Sequence, residues 1–346
     1  MESDDESLLS PTSSTSSFDE DDVNVRMAPN WCAYRQLIES RGTRLDTCAD
    51  VKQWYQDYWE SLIAQGCKVT RDLPGYTRAC SYSDENELCK DAGLPDNLFR
   101  GTHCATGKKV VIKAVHIYSR EYDTVRYLSS PPLRNHPMNH TIPILDLIDD
   151  AANNLGFIVM EEWSPQLVSD VPRTLRLFLG AIRQCIEVRS FSPYRTYTGI
   201  LMLISQHAVF MHAHHMAHLD ISIRNLLTDY SSHYAYIDFE TCRRFDGIPS
   251  PRVRGVRGTN LPPELENGEY ADPYKVDIWA LGVLILHASA LTGYDVPELK
   301  ALTRPMLHED FERRPTASAV LKVFDTIVAG IKESRLQSTS VYHSST

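Results

Sequence analysis

Residues 97–162 read as short strands separated by turn residues, and from Thr174 onward the pattern becomes long apolar helices. That change of period, from alternation to helical spacing, separates strands from helices along the chain and points to α+β architecture. The spacing predicts strands at 97–102 and 109–115 joined around Thr106-Gly107, a short helix at 119–128, and further strands at 142–148 and 156–162. Helices are expected at 175–186 and 196–216, and at 276–290, where nearly every residue is apolar and the helix must therefore be buried. A small β-rich part followed by a larger helical part implies two lobes with a cleft between them.

The flanking segments differ from this core. Residues 1–22 hold eight acids and no Lys or Arg, and residues 1–28 add many serines, so this stretch cannot bury enough apolar surface to offset its ordering entropy. It is expected to be a solvated tail, with acid-flanked serines open to phosphorylation. Over 29–84, Trp31, Tyr34, Leu37 and Ile38 recur at helical spacing, as do Val51, Trp54, Tyr55, Tyr58, Trp59 and Leu62. Both stripes read as helix faces packed on something larger, the second started by Asp46 or Thr47 and stopped by Gly66. Residues 334–346 are Ser/Thr-rich and read as a second tail.

Composition narrows the function classes. The net charge is −10, and outside the acidic N-terminus the charges nearly balance, so a basic footprint for nucleic acid is absent. The eight cysteines are dispersed with no CxxC pair, as in a reduced intracellular protein. An acidic N-terminus is unlike a signal peptide, and the longest apolar segment, 278–286, falls short of the ~20 residues that span a bilayer. A soluble cytoplasmic or nuclear protein is expected, with neither a membrane nor a nucleic acid as partner.

The segment with most chemical content runs from His218 to Leu227. Asp220 precedes Asn225 by five residues on a loop after a helix and before a strand. Such an Asp can accept a hydroxyl proton while the Asn carbonyl turns toward a metal ion. Asp238, ending the strand that contains Tyr236, adds a second hard oxygen ligand of the kind Mg2+ needs. Lys113 sits within the apolar run Val110 to Val115, where an unpaired ammonium is costly; an exposed strand Lys is the alternative. Glu121 on the next helix is the candidate partner. His212, His214, His215 and His218 crowd one stretch, but no Cys accompanies them to complete a zinc site.

Taken in order, these segments resemble the eukaryotic protein-kinase family. His218-x-Asp220-x4-Asn225 resembles the catalytic loop, Val110-Val111-Ile112-Lys113 the V-A-I-K strand, and Asp238-Phe239-Glu240 the D-F-G motif. Met160, Glu161 and Glu162 resemble the gatekeeper and hinge, Pro262-Pro263-Glu264 the A-P-E motif, and Asp277 to Gly282 the D-x-W-x-x-G helix. Arg314 resembles the late arginine that pairs with the A-P-E glutamate. The resemblance covers residues 85–333, with a small lobe over 85–162 and a large one over 163–333. It implies a bilobal protein-kinase-like fold and an ATP- and Mg2+-dependent phosphotransferase acting on protein hydroxyls. Asp220 would then position the hydroxyl, Asn225 and Asp238 hold Mg2+, Lys113 contact the phosphates and Glu121 steady Lys113. Met160, Glu161 and Glu162 would border the nucleotide. A pseudokinase, binding without turnover, is the second reading, and a small-molecule kinase the third.

Several positions depart from the family pattern. The usual G-x-G-x-x-G before the second strand corresponds to 91–96, where only the central Gly93 survives and Asp91 and Asp96 stand in for the outer glycines. A carboxylate ~6 Å from a phosphate charge costs roughly 2–3 kcal/mol at an effective dielectric of 20, so weakened nucleotide binding is expected. Leu219 replaces the Arg of H-R-D, Glu240 the Gly of D-F-G, and Ser222 the Lys that steadies a transferred phosphoryl group. Arg224, two residues later, is the candidate for that positive charge. Gly258-Thr259 lies close to Pro262-Pro263-Glu264, which shortens the platform that binds a substrate peptide.

Overall fold

A computed structural model describes residues 23–64, 66–70, 73–91, 93–164, 174–184, 207–229 and 233–339. The smaller lobe is built on an antiparallel five-stranded sheet in the order β1-β2-β3-β5-β4, comprising β1 (Thr43–Leu45), β2 (Leu98–His103), β3 (Lys109–His116), β4 (Ile144–Asp150) and β5 (Leu155–Glu161). Alternation along β3 decides which face does what. Val110, Ile112 and Ala114 are fully buried on one side, against a helix α1 (Trp31–Ser40) that covers the sheet. Trp31 packs its ring 5.2 Å from Phe99 and 5.8 Å from Phe157. Val111 and Lys113 therefore point to the opposite side, into the interlobe cleft.

Two expectations for this lobe change. The segment 29–84, expected as a helical extension, also contributes β1, so the sheet begins well before residue 85. Gly101 makes that pairing feasible: a Cβ there would lie 2.5 Å from the Arg44 carbonyl oxygen across the strand pair. In addition, β1 and β2 are not joined by a short hairpin. Their connection, from Asp46 to Asn97, carries two helices, α2 (Cys48–Ala64) and α3 (Pro74–Ser81). Residues 23–28, expected within the tail, also pack on the lobe: Met27 lies against the Trp31 cluster, and Asn24 Oδ1 accepts from the Arg120 N–H at 3.1 Å. Residues 1–22 lie outside the described residues.

After β3, Ser119 caps α4 (Arg120–Leu128) by accepting from the Tyr122 N–H. The larger lobe is helical, with α5 (Leu175–Gln184), α6 (His207–Ala213), α7 (Pro263–Glu266), α8 (Pro273–Thr292), α9 (Pro297–Met306), α10 (Ala317–Gly330) and α11 (Glu333–Leu336). Short ladders pair β6 (Met216–Ala217) with β9 (Arg243–Arg244), and β7 (Leu226–Thr228) with β8 (Tyr234–Tyr236). The helix expected over 196–216 ends at Ala213, because His215 takes a left-handed φ of 55° and the chain turns into β6; residues 185–206 lie outside the described residues. Helix α8 starts at Asp272, which accepts from the Tyr274 and Lys275 N–H groups, and stops at Gly293 with φ 68°. It is long and apolar enough to cross a membrane, but half of its apolar stretch is packed inside the protein. Nor is 334–346 wholly a tail: Leu336 is buried and Arg335 pairs with Glu298, while residues 340–346 lie outside the described residues. The architecture is α+β and bilobal, a protein-kinase-like fold.

Candidate active site

Three chain segments meet in one ion-pair cluster at the back of the cleft. Lys113 on β3 donates to Glu121 on α4 at 2.7 Å and to Asp238, just past β8, at 2.9 Å. Glu121 sits one residue inside a helix fixed by the Ser119 cap, so the short β3–α4 connection places its carboxylate beneath Lys113. Burial would strip charge from the ammonium, but the two carboxylates outweigh it and raise its pKa. For Asp238, burial is likewise overcome by Lys113, whose charge and hydrogen bond hold the carboxyl below its usual value.

The loop carrying Asp220 is held from below by a buried carboxylate. Asp277 on α8 accepts from the His218 N–H at 2.9 Å, the Leu219 N–H at 2.8 Å and His212 Nε2 at 2.9 Å. Thr241 Oγ1 donates to the His218 carbonyl at 2.8 Å, and Leu219 sits at φ 64°. His218 is packed among Tyr236 and Phe239, and burial lowers its pKa so that it stays neutral. Asp220 emerges from this anchored loop. Its Oδ2 accepts from Asn225 Nδ2 at 2.8 Å and its Oδ1 from the Thr259 N–H at 2.6 Å. The same Asn225 nitrogen donates to the Asp220 carbonyl at 3.0 Å. Both Nδ2 contacts are thus inside the loop, which leaves the Asn225 side-chain oxygen for an outside cation.

Asn225 and Asp238 end facing strands of one ladder: Leu226 pairs with Tyr236, and the Ile237 N–H donates to the Asn225 carbonyl at 3.1 Å. An amide oxygen and a carboxylate carried at the ends of paired strands are ligand types that fit the hard-oxygen preference of Mg2+.

The cleft encloses about 880 Å³. Lys113, Glu121, Met160, Glu161, Glu162 and Asp238 all line it. The two hinge glutamates are already committed. Glu161 pairs with Lys108 at 2.5 Å and accepts from Trp163 Nε1 at 3.2 Å, and Glu162 accepts from Arg100 Nε at 2.6 Å. Their side chains are engaged with other residues at the rim of the cleft.

Four expected residues are not part of the cleft lining: Asp220 and Asn225, whose loop adjoins the lining residues Leu227, Ile237 and Asp238 through the β7–β8 ladder, and Gly93 and Arg224. Gly93 does not line it; Leu94 and Pro95, its neighbours, do. Arg224 is exposed on the turn Ile223–Asn225 and is likewise absent from the lining. The expected repulsion from Asp91 and Asp96 also has a different outcome. Asp91 is paired with Arg100 and accepts from the Gly93 N–H at 2.9 Å, while Asp96 is paired with Lys90 at the surface. Both carboxylates are neutralised within their own segment.

Other lining residues carry no site signature in the sequence. Trp54, Tyr55 and Tyr58 of α2, together with Arg26, form part of the wall. The aromatic stripe is visible in the sequence but has the spacing of a core face. Only its placement in the β1–β2 connection, with Trp54 and Tyr58 each 41% exposed, reveals the cleft-facing role.

No protein-family model matches the chain. Among curated proteins it is similar to "Probable serine/threonine-protein kinase KKQ8" of Saccharomyces cerevisiae, 27% identical over 124 residues, covering 34% of this chain and 17% of the relative. Serine/threonine-protein kinase shk2 of Schizosaccharomyces pombe is 32% identical over 134 residues, covering 38% of this chain and 20% of the relative. Sperm motility kinase Z of Mus musculus is 27% identical over 246 residues, covering 64% of this chain and 45% of the relative. The chain thus spans less than half the length of each of these relatives. With the fold and the ion-pair cluster, these similarities support a protein-kinase-like family for the chain.

Proposed function

We propose that the chain is an ATP- and Mg2+-dependent phosphotransferase, and that its substrates are the hydroxyl groups of proteins. One observation carries this reading: Lys113 joins Glu121 and Asp238 in the cleft, in the order the family resemblance requires. Asp220, oriented by Asn225 and the Thr259 N–H, accepts the hydroxyl proton as the hydroxyl oxygen bonds to the γ-phosphorus and the bond from that phosphorus to the departing ADP breaks. Lys113, kept charged by its two carboxylates, draws the phosphates toward it, and Glu121 fixes its position. Asn225 and Asp238 are the residues that would hold Mg2+. When bound, that ion neutralises phosphate charge during transfer.

A second reading, a pseudokinase that binds nucleotide as a scaffold, is favoured by one feature. Among its described residues the β1–β2 connection is a helical insertion instead of a glycine-rich hairpin, and Leu94 and Pro95 line the cleft where bare glycine backbone would approach the phosphates.

Paired measurements separate the two. Asp220→Asn should remove single-turnover transfer by roughly several orders of magnitude while ATP affinity stays at the parent value. Asp238→Asn should abolish the Mg2+-dependent part of ATP binding. A parent with no transfer, autophosphorylation included, and an Asp238→Asn variant that binds ATP as the parent does would leave only the scaffold.

A further inference from the structure

We infer that Arg26, delivered by the segment ahead of the kinase-like region, is the cation that receives the anionic end of the nucleotide in this cleft. The inference rests on the nucleotide-binding reading above. Its starting point is a charge shortage. Lys113 has one positive charge and faces two carboxylates, at 2.7 Å and 2.9 Å. A glycine-rich loop would add backbone N–H donors, but the β1–β2 connection here is a two-helix insertion. Before the Mg2+ that Asn225 and Asp238 would hold is counted, the side chains of this cluster sum to a net negative charge, so a polyphosphate here gains from a further cation.

Arg26 corrects that balance. It lines the same cleft as Lys113, Glu121 and Asp238, and it also lines the small cavity beside it, with Asn97, Ser119 and Glu240. Its charge is felt at the Asp238 carboxylate. The segment that carries it is fastened on both sides: Asn24 accepts from the Arg120 N–H at the start of α4, and Met27 packs into the Trp31 cluster. Among the described residues Arg26 forms no ion pair, so its guanidinium is uncommitted, unlike those of Arg100 and Arg126. A guanidinium presents forked donors that match a phosphate with two parallel hydrogen bonds, and it keeps its charge at any working pH. Arg26 is outside residues 85–333, so the family resemblance assigns it no role.

The test uses the full chain and three probes, Mg·ATP, Mg·ADP and adenosine, titrated against the parent, Arg26→Ala, Arg26→Lys and Arg26→Glu. Arg26→Ala should weaken Mg·ATP by about ten- to thirtyfold, the loss expected for a charge-assisted hydrogen bond, with adenosine unchanged. Arg26→Lys should restore most of the loss and Arg26→Glu should deepen it. A variant whose only fault was poor packing of residues 23–28 would weaken adenosine and Mg·ATP alike, which would overturn the inference. So would unchanged Mg·ATP affinity in Arg26→Ala, or tighter binding, which would make Arg26 a plug. If the parent binds adenosine and Mg·ATP not at all, the nucleotide reading itself falls with it.

Discussion

Asp220 depends on the approach of a neighbouring backbone as much as on its own position. Thr259 can reach it only because Gly258 has no side chain: a Cβ there would lie 2.8 Å from the Leu219 carbonyl oxygen. Gly258→Ala must push the segment away and with it the N–H that orients Asp220. Misplacement by an ångström is costly for a positioned catalytic group, so single-turnover transfer should fall at least about tenfold with ATP affinity unchanged. Gly93→Ala is the matched control, since its Cβ would meet only Asp91 Oδ1, at 3.6 Å, and should alter neither quantity. Motif spacing alone makes Asp220, Asn225 and Asp238 legible. Thr259 and Arg26 are not, because a backbone N–H has no sequence signature and a lone arginine in an acidic stretch looks like any other.

At the scale of elements, the insertion between β1 and β2 changes what its charges do. Asp91 holds Arg100, and Arg100 in turn holds the hinge residue Glu162 and lies 5.8 Å from the Trp54 ring. Replacing Asp91 and Asp96 with glycine therefore should not tighten ATP; it should loosen the Arg100–Glu162 rim and leave affinity equal or weaker. Isothermal titration of the double variant checks this, and a clear gain in ATP affinity would restore the repulsive-loop picture. Gly101 tests the sheet itself. Gly101→Val would force β1 from β2 against the Arg44 carbonyl and should cost about 1–3 kcal/mol in urea unfolding. The alternation of β3 and the helical stripe of α1 are readable as periods. That α1 covers the outer face of the sheet, and that three residues between helices form its edge strand, is not: such a short strand has too few residues to show a period.

Across the whole molecule, the pH dependence of stability follows from two buried histidines. His207 stacks on Tyr236 with centroids 4.7 Å apart, His218 lies 5.1 Å from Phe239, and burial lowers the pKa of both from 6.5. Among the described residues neither ring has a hydrogen-bond partner. A depressed folded-state pKa means that the unfolded chain binds the proton more readily, so this contribution is complete above pH ~6.5 and is lost as pH falls below it. Each neutral histidine should cost about 1.4 kcal/mol per pH unit until its folded pKa is reached. Urea midpoints at pH 7.5 and 5.5 should show the fall, and His207→Phe, which keeps the stack, should make it shallower. An equal fall in parent and variant would assign the pH dependence elsewhere.

The sequence alone determined the local and the serial properties of this chain. Periodicity located β2 to β5, the helices α1, α2, α4 and α5 and the core of α8, and the order and spacing of Lys113, Glu121, Asp220, Asn225 and Asp238 carried the family resemblance, because residue type and separation along the chain are what a motif encodes. It also anticipated that Arg314 would meet Glu264, which the fold joins through two hydrogen bonds at 2.7 Å and 2.8 Å in a buried pair. Only the tertiary structure decided which face of each stripe is covered and which charges are already spent. Trp54 and Tyr58 have the pattern of core residues yet line the cleft; Asp91 and Asp96 have the position of phosphate-facing groups yet are paired with Arg100 and Lys90. Both outcomes depend on partners distant in sequence or brought round by an insertion, and contact energies are set by distance in space, which the order of residues does not contain.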